Sequence, residues 1–299
     1  MTIDSAPPVR LAHLGALRFT GADALGFLQG QVSNDTQRLT ENTAVLAAYS
    51  TAQGRVLALI YLLPHSSGVV AILPREILLP TMERLRKFIL RAKVRIEEAA
   101  DLIVAGSLGT TPGASSRYVE QDGIGMAPVG HDASRYWVIG PPEKIAAPPD
   151  AVAASRNEAE WRLADIRAGL PQVYAATSEA FVAQMLNLDL LDGISFTKGC
   201  YTGQEIIART QHLGRIKRRL FRLALPAGSW SVGQTLRLAD GRQGRLTEVI
   251  ESRGRTEALA VLSTEPSSAA GSADAPGELL VDASELPLPY SLLGAHVRE

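Results

Sequence analysis

A single cysteine stands in 299 residues. It excludes an internal disulfide framework, and it excludes a zinc or iron–sulfur site that this chain builds from several thiolates of its own. Aromatic residues make up 5% of the chain, and Lys+Arg 30 against Asp+Glu 31 leave a formal charge of −1. No overall field draws in nucleic acid or membrane, so any such contact needs a local patch. The longest apolar run, Val56 to Leu63, is far short of the roughly 20 residues that a membrane span requires. The start, MTIDSAPPVR, carries neither a basic segment leading into an apolar one nor an Arg-rich amphipathic leader, so a cytoplasmic location is expected. His13, His65, His131, His212 and His296 are scattered without metal-ligand spacing, and no phosphate-loop or dinucleotide fingerprint occurs.

What is present is a globular composition, 46% hydrophobic, long enough for two or three domains. Thr20-Gly-Ala-Asp23 with Leu25, Leu28 and Val32 behind it predicts a helix ending near Asn34-Asp35. Extended segments follow over 44–50, 56–63 and 69–73, with Gln53-Gly54-Arg55 as the first turn. From Arg75 to Val94 the period lengthens again, with Met82, Leu85 and Ile89 on one face and Pro80 expected in the first turn. Residues 101–140 read as short strands and 140–150 as a linker. Asn157-Glu-Ala-Glu160 predicts a helix start, with Trp161, Ala164 and Ala168 in one stripe and Gly169-Leu-Pro171 as the stop. A second helical stretch is expected over 178–185. Beyond Arg215, strands broken by Gly-rich turns suggest a small barrel or sandwich, with 265–277 as a small-residue, mobile loop.

Chemistry concentrates in Lys198-Gly-Cys-Tyr-Thr-Gly-Gln-Glu205. Thr202 and Glu205 have capping-box spacing, which predicts a helix from Gly203 and puts Cys200 just ahead of its positive end. A helix terminus and the nearby Lys198 would favour a thiolate. The same pattern also fits a capped helix behind a buried, inert cysteine. Trp161 reads either as core or as a stacking platform for a flat ring. Arg209, Arg215, Lys217, Arg218, Arg219 and Arg222 lie in a stretch without an acid from Ile206 to Leu236. That stretch is either the solvated face of a strand or a site for an anion.

The octapeptide resembles the signature of the YgfZ family, folate-binding relatives of the glycine-cleavage T-protein. The resemblance extends to Phe27-Leu-Gln-Gly-Gln-Val-Ser-Asn-Asp35, Gln53-Gly-Arg55, Leu90-Arg-Ala-Lys-Val94, Ile166-Arg-Ala-Gly-Leu-Pro171, Asn187-Leu-Asp189, Gly193-Ile-Ser-Phe196 and Leu286-Pro-Leu-Pro-Tyr290, nearly the whole chain. It implies an α+β fold, a T-protein-like three-domain ring of two α+β domains plus a C-terminal β-barrel. The first domain would be discontinuous (1–50 with 152–210, binding folate), the second would span 51–151, and the barrel 211–299.

The resemblance also implies tetrahydrofolate as cofactor and a role in assembling or repairing iron–sulfur enzymes, including the radical enzymes that methylthiolate tRNA. Cys200 and Lys198 match the family's active pair, and Trp161 matches a tryptophan implicated in folate binding. A second family tryptophan falls at Leu14 here, which removes one stacking surface. Tyr201, Gln204, Glu205 and Arg209 complete the expected ligand-binding set. Partners implied are iron–sulfur clients such as tRNA methylthiotransferase, with neither membrane nor direct nucleic-acid contact expected. Two other activities fit the same residues: a folate-dependent aminomethyltransferase or demethylase, for which no catalytic aspartate can be placed, and a tRNA-binding module using the 209–222 stretch.

Overall fold

The computed structural model describes residues 8–108, 117–130, 132–145, 151–213, 216–266 and 279–292, with the backbone alone for 132–134, 151–157 and 212–213. Strands dominate and assemble three sheets, the first two wholly antiparallel. The first holds β2 (Leu14–Thr20), β3 (Val45–Ser50), β4 (Val56–His65), β5 (Gly68–Pro74) and β6 (Arg95–Glu98) in the order β3-β4-β5-β2-β6. The apolar run of β4 is its central feature. Ile60 and Leu62 point into a core shared with α1 (Ala24–Gln29) and α2 (Arg75–Arg86), while Leu59, Tyr61 and Leu63 point into another. A strand covered on both faces has no position for a polar residue, hence the unbroken run.

The second core lies against the second sheet, ordered β1-β7-β10-β9-β8, from β1 (Val9–Arg10), β7 (Ile103–Leu108), β8 (Val119–Gln121), β9 (Ile124–Val129) and β10 (Asp132–Gly140). Helix α3 (Ala151–Ala168) packs here through Trp161, which presses against Gly106; a Cβ on that glycine would sit 2.2 Å from the indole. The same core takes in Leu220, Ile250, Leu259 and Val261 of the third sheet. That sheet is ordered β15-β12-β13-β14-β11-β16, from β11 (Arg218–Leu225), β12 (Thr235–Leu238), β13 (Gln243–Ser252), β14 (Arg255–Ser263), β15 (Leu279–Val281) and β16 (Ser284–Leu286). No ladder among the described residues joins its edge strands β15 and β16, so it is a half-barrel rather than the expected closed barrel. Among the described residues no helix is long and apolar enough to cross a membrane, and no group of His, Cys, Asp or Glu could hold a metal ion.

The β3–β4 hairpin runs across position 50/51, its strands pairing from Val45↔Leu62 to Ser50↔Val56. Several of the expected elements need correction. Helix α1 stops at Gln29 rather than near Asn34, because the backbone beyond it is taken up by other partners. Pro80 lies inside α2, which already starts at Arg75 behind Pro74. Asn157 is likewise interior to α3, which begins at Ala151. The segment 178–185 forms no α-helix: short 3-10 turns, Ala175–Thr177 before it and Ala183–Leu186 at its end, stand in place of one. Its main chain is engaged with β4 instead: Val56 N donates to Phe181 O at 2.8 Å and Glu179 N to Val56 O at 2.7 Å. Of the loop expected at 265–277, residues 267–277 lie outside the described set.

Candidate functional site

The signature segment is held by the residues after α1. Ser33 Oγ donates to Gly193 O (2.6 Å) and accepts from Ala48 N (2.8 Å). Asn34 Nδ2 donates to Leu46 O (2.8 Å) and Asp192 O (2.6 Å). Two stretches some 160 positions apart in sequence thus meet on the edge strand β3.

Lys198 makes the third connection. Its ammonium Nζ donates to the carbonyls of Gln29 (2.7 Å), Val32 (2.8 Å) and Asn34 (2.8 Å), and it lies 5.0 Å from the centroid of the Tyr201 ring. Burial lowers its pKa to about 8, with Asp35 pulling the other way, so it remains a cation at neutral pH. Three acceptors converge on three ammonium protons, which leaves none for the neighbouring thiol.

Beyond Lys198 the chain turns outward: Gly199 and Cys200 are exposed, and the thiol is free. The backbone is captured again at Thr202, whose N–H reaches Gly30 O at 3.3 Å. Gly203 follows with φ +84°, pressed onto the β3–β4 turn, where an added Cβ would lie 2.6 Å from Thr51 O. Gly54 in that turn has φ +71° and faces Ile206, where an added Cβ would lie 2.9 Å from the side chain. Only glycine permits both the left-handed backbone and this approach. Helix α4 (Gln204–Leu213) starts directly afterwards, with Tyr201 buried and Glu205 and Arg209 exposed on it.

A separate feature is a cavity of about 1280 Å³ between α3, the end of β9 and the tip of the β13–β14 hairpin. Ala164, Ala168 and Gly130 keep one wall low, and Leu108, Val129, Leu163 and Leu170 make it apolar. Arg135, Arg167, Arg253 and Arg255 bring positive charge, against Glu160 and Glu257. Arg135 is committed to Asp165 (2.6 Å), whose carboxyl is raised above the usual carboxylate range by burial despite the guanidinium. Arg167 and Arg222 share Glu257 (2.8 and 2.6 Å). For Glu257, burial pushes the carboxyl upward, but the two guanidinium groups outweigh it and hold the pKa below the ordinary value. Arg253 and Arg255 have no partner among the described residues; their hairpin turn, with Arg253 at φ 53° and Gly254 at φ 71°, carries them to the lip. Tyr290 closes the far side, its hydroxyl donating to Gly169 O at 2.8 Å.

Neither the signature residues 198–205, Arg209, Leu14 nor Trp161 lines this cavity. Leu14 is a core residue of β2, and Trp161 has no exposed surface: Trp137 (5.1 Å), Arg135 (5.3 Å) and Gly106 surround it. A ring cannot stack on either side of that indole without opening the core. The cations of 209–222, which the sequence leaves open as a solvated strand face or an anion site, are also dispersed. Arg219 is buried in a two-pronged pair with Asp189 (2.6 and 2.8 Å), Arg222 is held by Glu257, and Arg215 lies outside the described residues. Sequence reading missed Arg253 and Arg255, although Arg-Gly-Arg between two alternating strands marks a hairpin tip carrying charge.

No family model matches the chain. The tRNA-modifying protein YgfZ of Yersinia pestis is 33% identical over 314 aligned positions, covering 95% of this chain and 92% of its own length. The protein of the same name from Colwellia psychrerythraea is 32% identical over 226 residues, 71% of this chain and 70% of its own. That of Hamiltonella defensa is 29% identical over 264 residues. Among solved structures, the glycine cleavage system aminomethyltransferase T from Bartonella henselae aligns with a TM-score of 0.59 over 87% of this chain and 79% of its own, at 13% identity. At that identity the likeness concerns fold alone, and it agrees with the mixed, mostly stranded architecture.

Proposed function

The chain belongs to the YgfZ family, and from that membership we propose that it binds tetrahydrofolate and supports iron–sulfur enzymes that modify tRNA, methylthiolating radical enzymes among them. The cavity carries the reading. At about 1280 Å³ it has room for a ligand of folate size, since sites for small molecules run to about 300–1,000 Å³. Its two characters suit the two halves of a folate. The low apolar wall of Ala164, Ala168, Leu163 and Leu170 would take the flat pterin, and the unpaired Arg253 and Arg255 at the lip would meet the glutamate carboxylates. Bound there, a folate supplies a carrier for one-carbon units.

The protein's own residues do the rest. Glu257 occupies Arg167 and Arg222, and Asp165 occupies Arg135, so the uncommitted charge is concentrated at the lip. Cys200 stands exposed in a braced loop and is the group available to a client's cluster. One thiol cannot hold a cluster by itself, so contact would be transient.

Calorimetric titration of tetrahydrofolate tests this. Wild type should bind, and Arg253→Glu with Arg255→Glu should weaken binding at least tenfold without lowering the melting temperature. Cys200→Ser should bind normally yet fail to restore tRNA methylthiolation in cells lacking the protein. Absence of binding by wild type, or full restoration by the serine variant, would refute the corresponding half.

A further inference from the structure

The turn between α2 and β6 is a basic surface that the folate reading leaves unused. Residues 84–95 read RLRKFILRAKVR: Arg84, Arg86, Lys87, Arg91, Lys93 and Arg95, without an acid among them. Within this run Phe88 is 46% and Leu90 88% exposed, both large apolar side chains facing solvent.

The segment is firmly built. Phe88 N donates to Leu85 O (3.0 Å), Ile89 N to Arg86 O (3.1 Å) and Leu90 N to Phe88 O (3.0 Å). Ile89 and Val94 anchor it against the core under α2. The Arg86 guanidinium closes its far end on Ile96 O (2.7 Å), and Lys93 N is held by the Asp23 carboxylate at 2.7 Å. Arg86 is also paired with Glu83, and Arg95 with Glu97. Lys87, Arg91 and Lys93 have no ion-pair partner among the described residues; the carboxylates that reach the run, Asp23, Glu83 and Glu97, are held by the Lys93 N–H, Arg86 and Arg95. Cations in the last turn of α2 and at its C-cap, Lys87, are accounted for in part by the helix dipole, but Arg91 and Lys93 lie beyond the helix end.

From this we infer that the α2–β6 turn is an RNA-docking surface, with phosphates on Lys87, Arg91 and Lys93 and an unstacked base against Phe88. Exposed cations flanking one exposed aromatic side chain match what a looped or single-stranded RNA presents, a phosphate track with bases turned outward. A protein interface fits less well, because its buried centre is poor in lysine and in charge generally. A membrane surface would call for a longer amphipathic element than this tight turn. The inference does not depend on the cavity.

Fluorescence anisotropy with an in vitro transcribed tRNA and the full chain provides the test. Contacts to about three phosphates predict a slope of log K against log salt near −2 to −3, a weakening of roughly 15- to 60-fold between 50 and 200 mM. Lys87→Glu with Arg91→Glu and Lys93→Glu should lose at least tenfold in tRNA affinity at 50 mM salt while folate binding and melting temperature hold. Phe88→Ala should weaken binding with the salt slope unchanged. No tRNA binding at 50 mM salt, equal binding by the triple variant, or a response only to anionic vesicles or an acidic protein would overturn the inference.

Discussion

Replacing Lys198 by methionine separates a structural lysine from a chemical one. The substitution keeps the stem and removes the ammonium, so the carbonyls of Gln29, Val32 and Asn34 lose their common donor. Hydrogen bonds involving a charged group contribute about 1.5–3 kcal/mol each. The three are not additive, since one desolvated ammonium serves them all, and the Gln29 carbonyl is open enough to regain water. A net loss of about 3–5 kcal/mol is the reasonable sum. With m of about 3 kcal/mol per molar urea, the unfolding midpoint should fall by about 1 M or more. Lys198→Arg should rescue little, because a planar fork cannot direct protons toward three convergent acceptors. Urea unfolding followed by circular dichroism, with alkylation of Cys200 as a local probe, reads both effects; the thiol should react faster once its loop is released. If Lys198→Met is as stable as wild type and its thiol reacts at the same rate, yet support of tRNA modification is lost, the lysine acts on the chemistry and the structural argument fails.

Two further outcomes follow from buried groups. Trp161→Ala should cost about 3–5 kcal/mol, the usual range for emptying a large aromatic site, while folate affinity of the folded protein changes little; urea unfolding beside calorimetry checks it, and a stable variant that has lost binding would return the indole to the ligand site. Glu257 sits below its unfolded pKa when folded, so its stabilisation is complete above the unfolded value and fades as pH falls through the folded one. The melting-temperature gap between wild type and Glu257→Gln should therefore be wide at pH 7 and close on acidification below about 4, and a gap that persists in acid would contradict the pairing with Arg167 and Arg222.

Local chemistry was readable from the chain, and long-range commitments were not. The β3–β4 hairpin shows in Gln53-Gly54-Arg55 between apolar runs, and α4 shows in Gly203 followed by Gln-Glu. The octapeptide and the stretch from Phe27 to Asp35 each stand out in the sequence. That they dock together depends on Lys198, Ser33 and Asn34 donating to backbone carbonyls some 160 positions away, and no spacing rule reaches that far. Trp161 misleads for a related reason: a stripe on α3 does not say which side meets Gly106 and which meets the cavity. The sequence leaves the 209–222 cations open between a solvated face and an anion site, because their acids, Asp189 and Glu257, come from other strands and loops.

The pair of facing glycines at 54 and 203 also bears on how a thiol can be offered to another protein. With Lys198 pinned on one flank and Gly203 wedged against the hairpin on the other, Cys200 rides on a span too short to wander. A visiting enzyme thus finds the sulfur at a fixed address, and little disorder remains to be frozen out when the two meet. Lengthening that span by even one residue would trade this readiness for search.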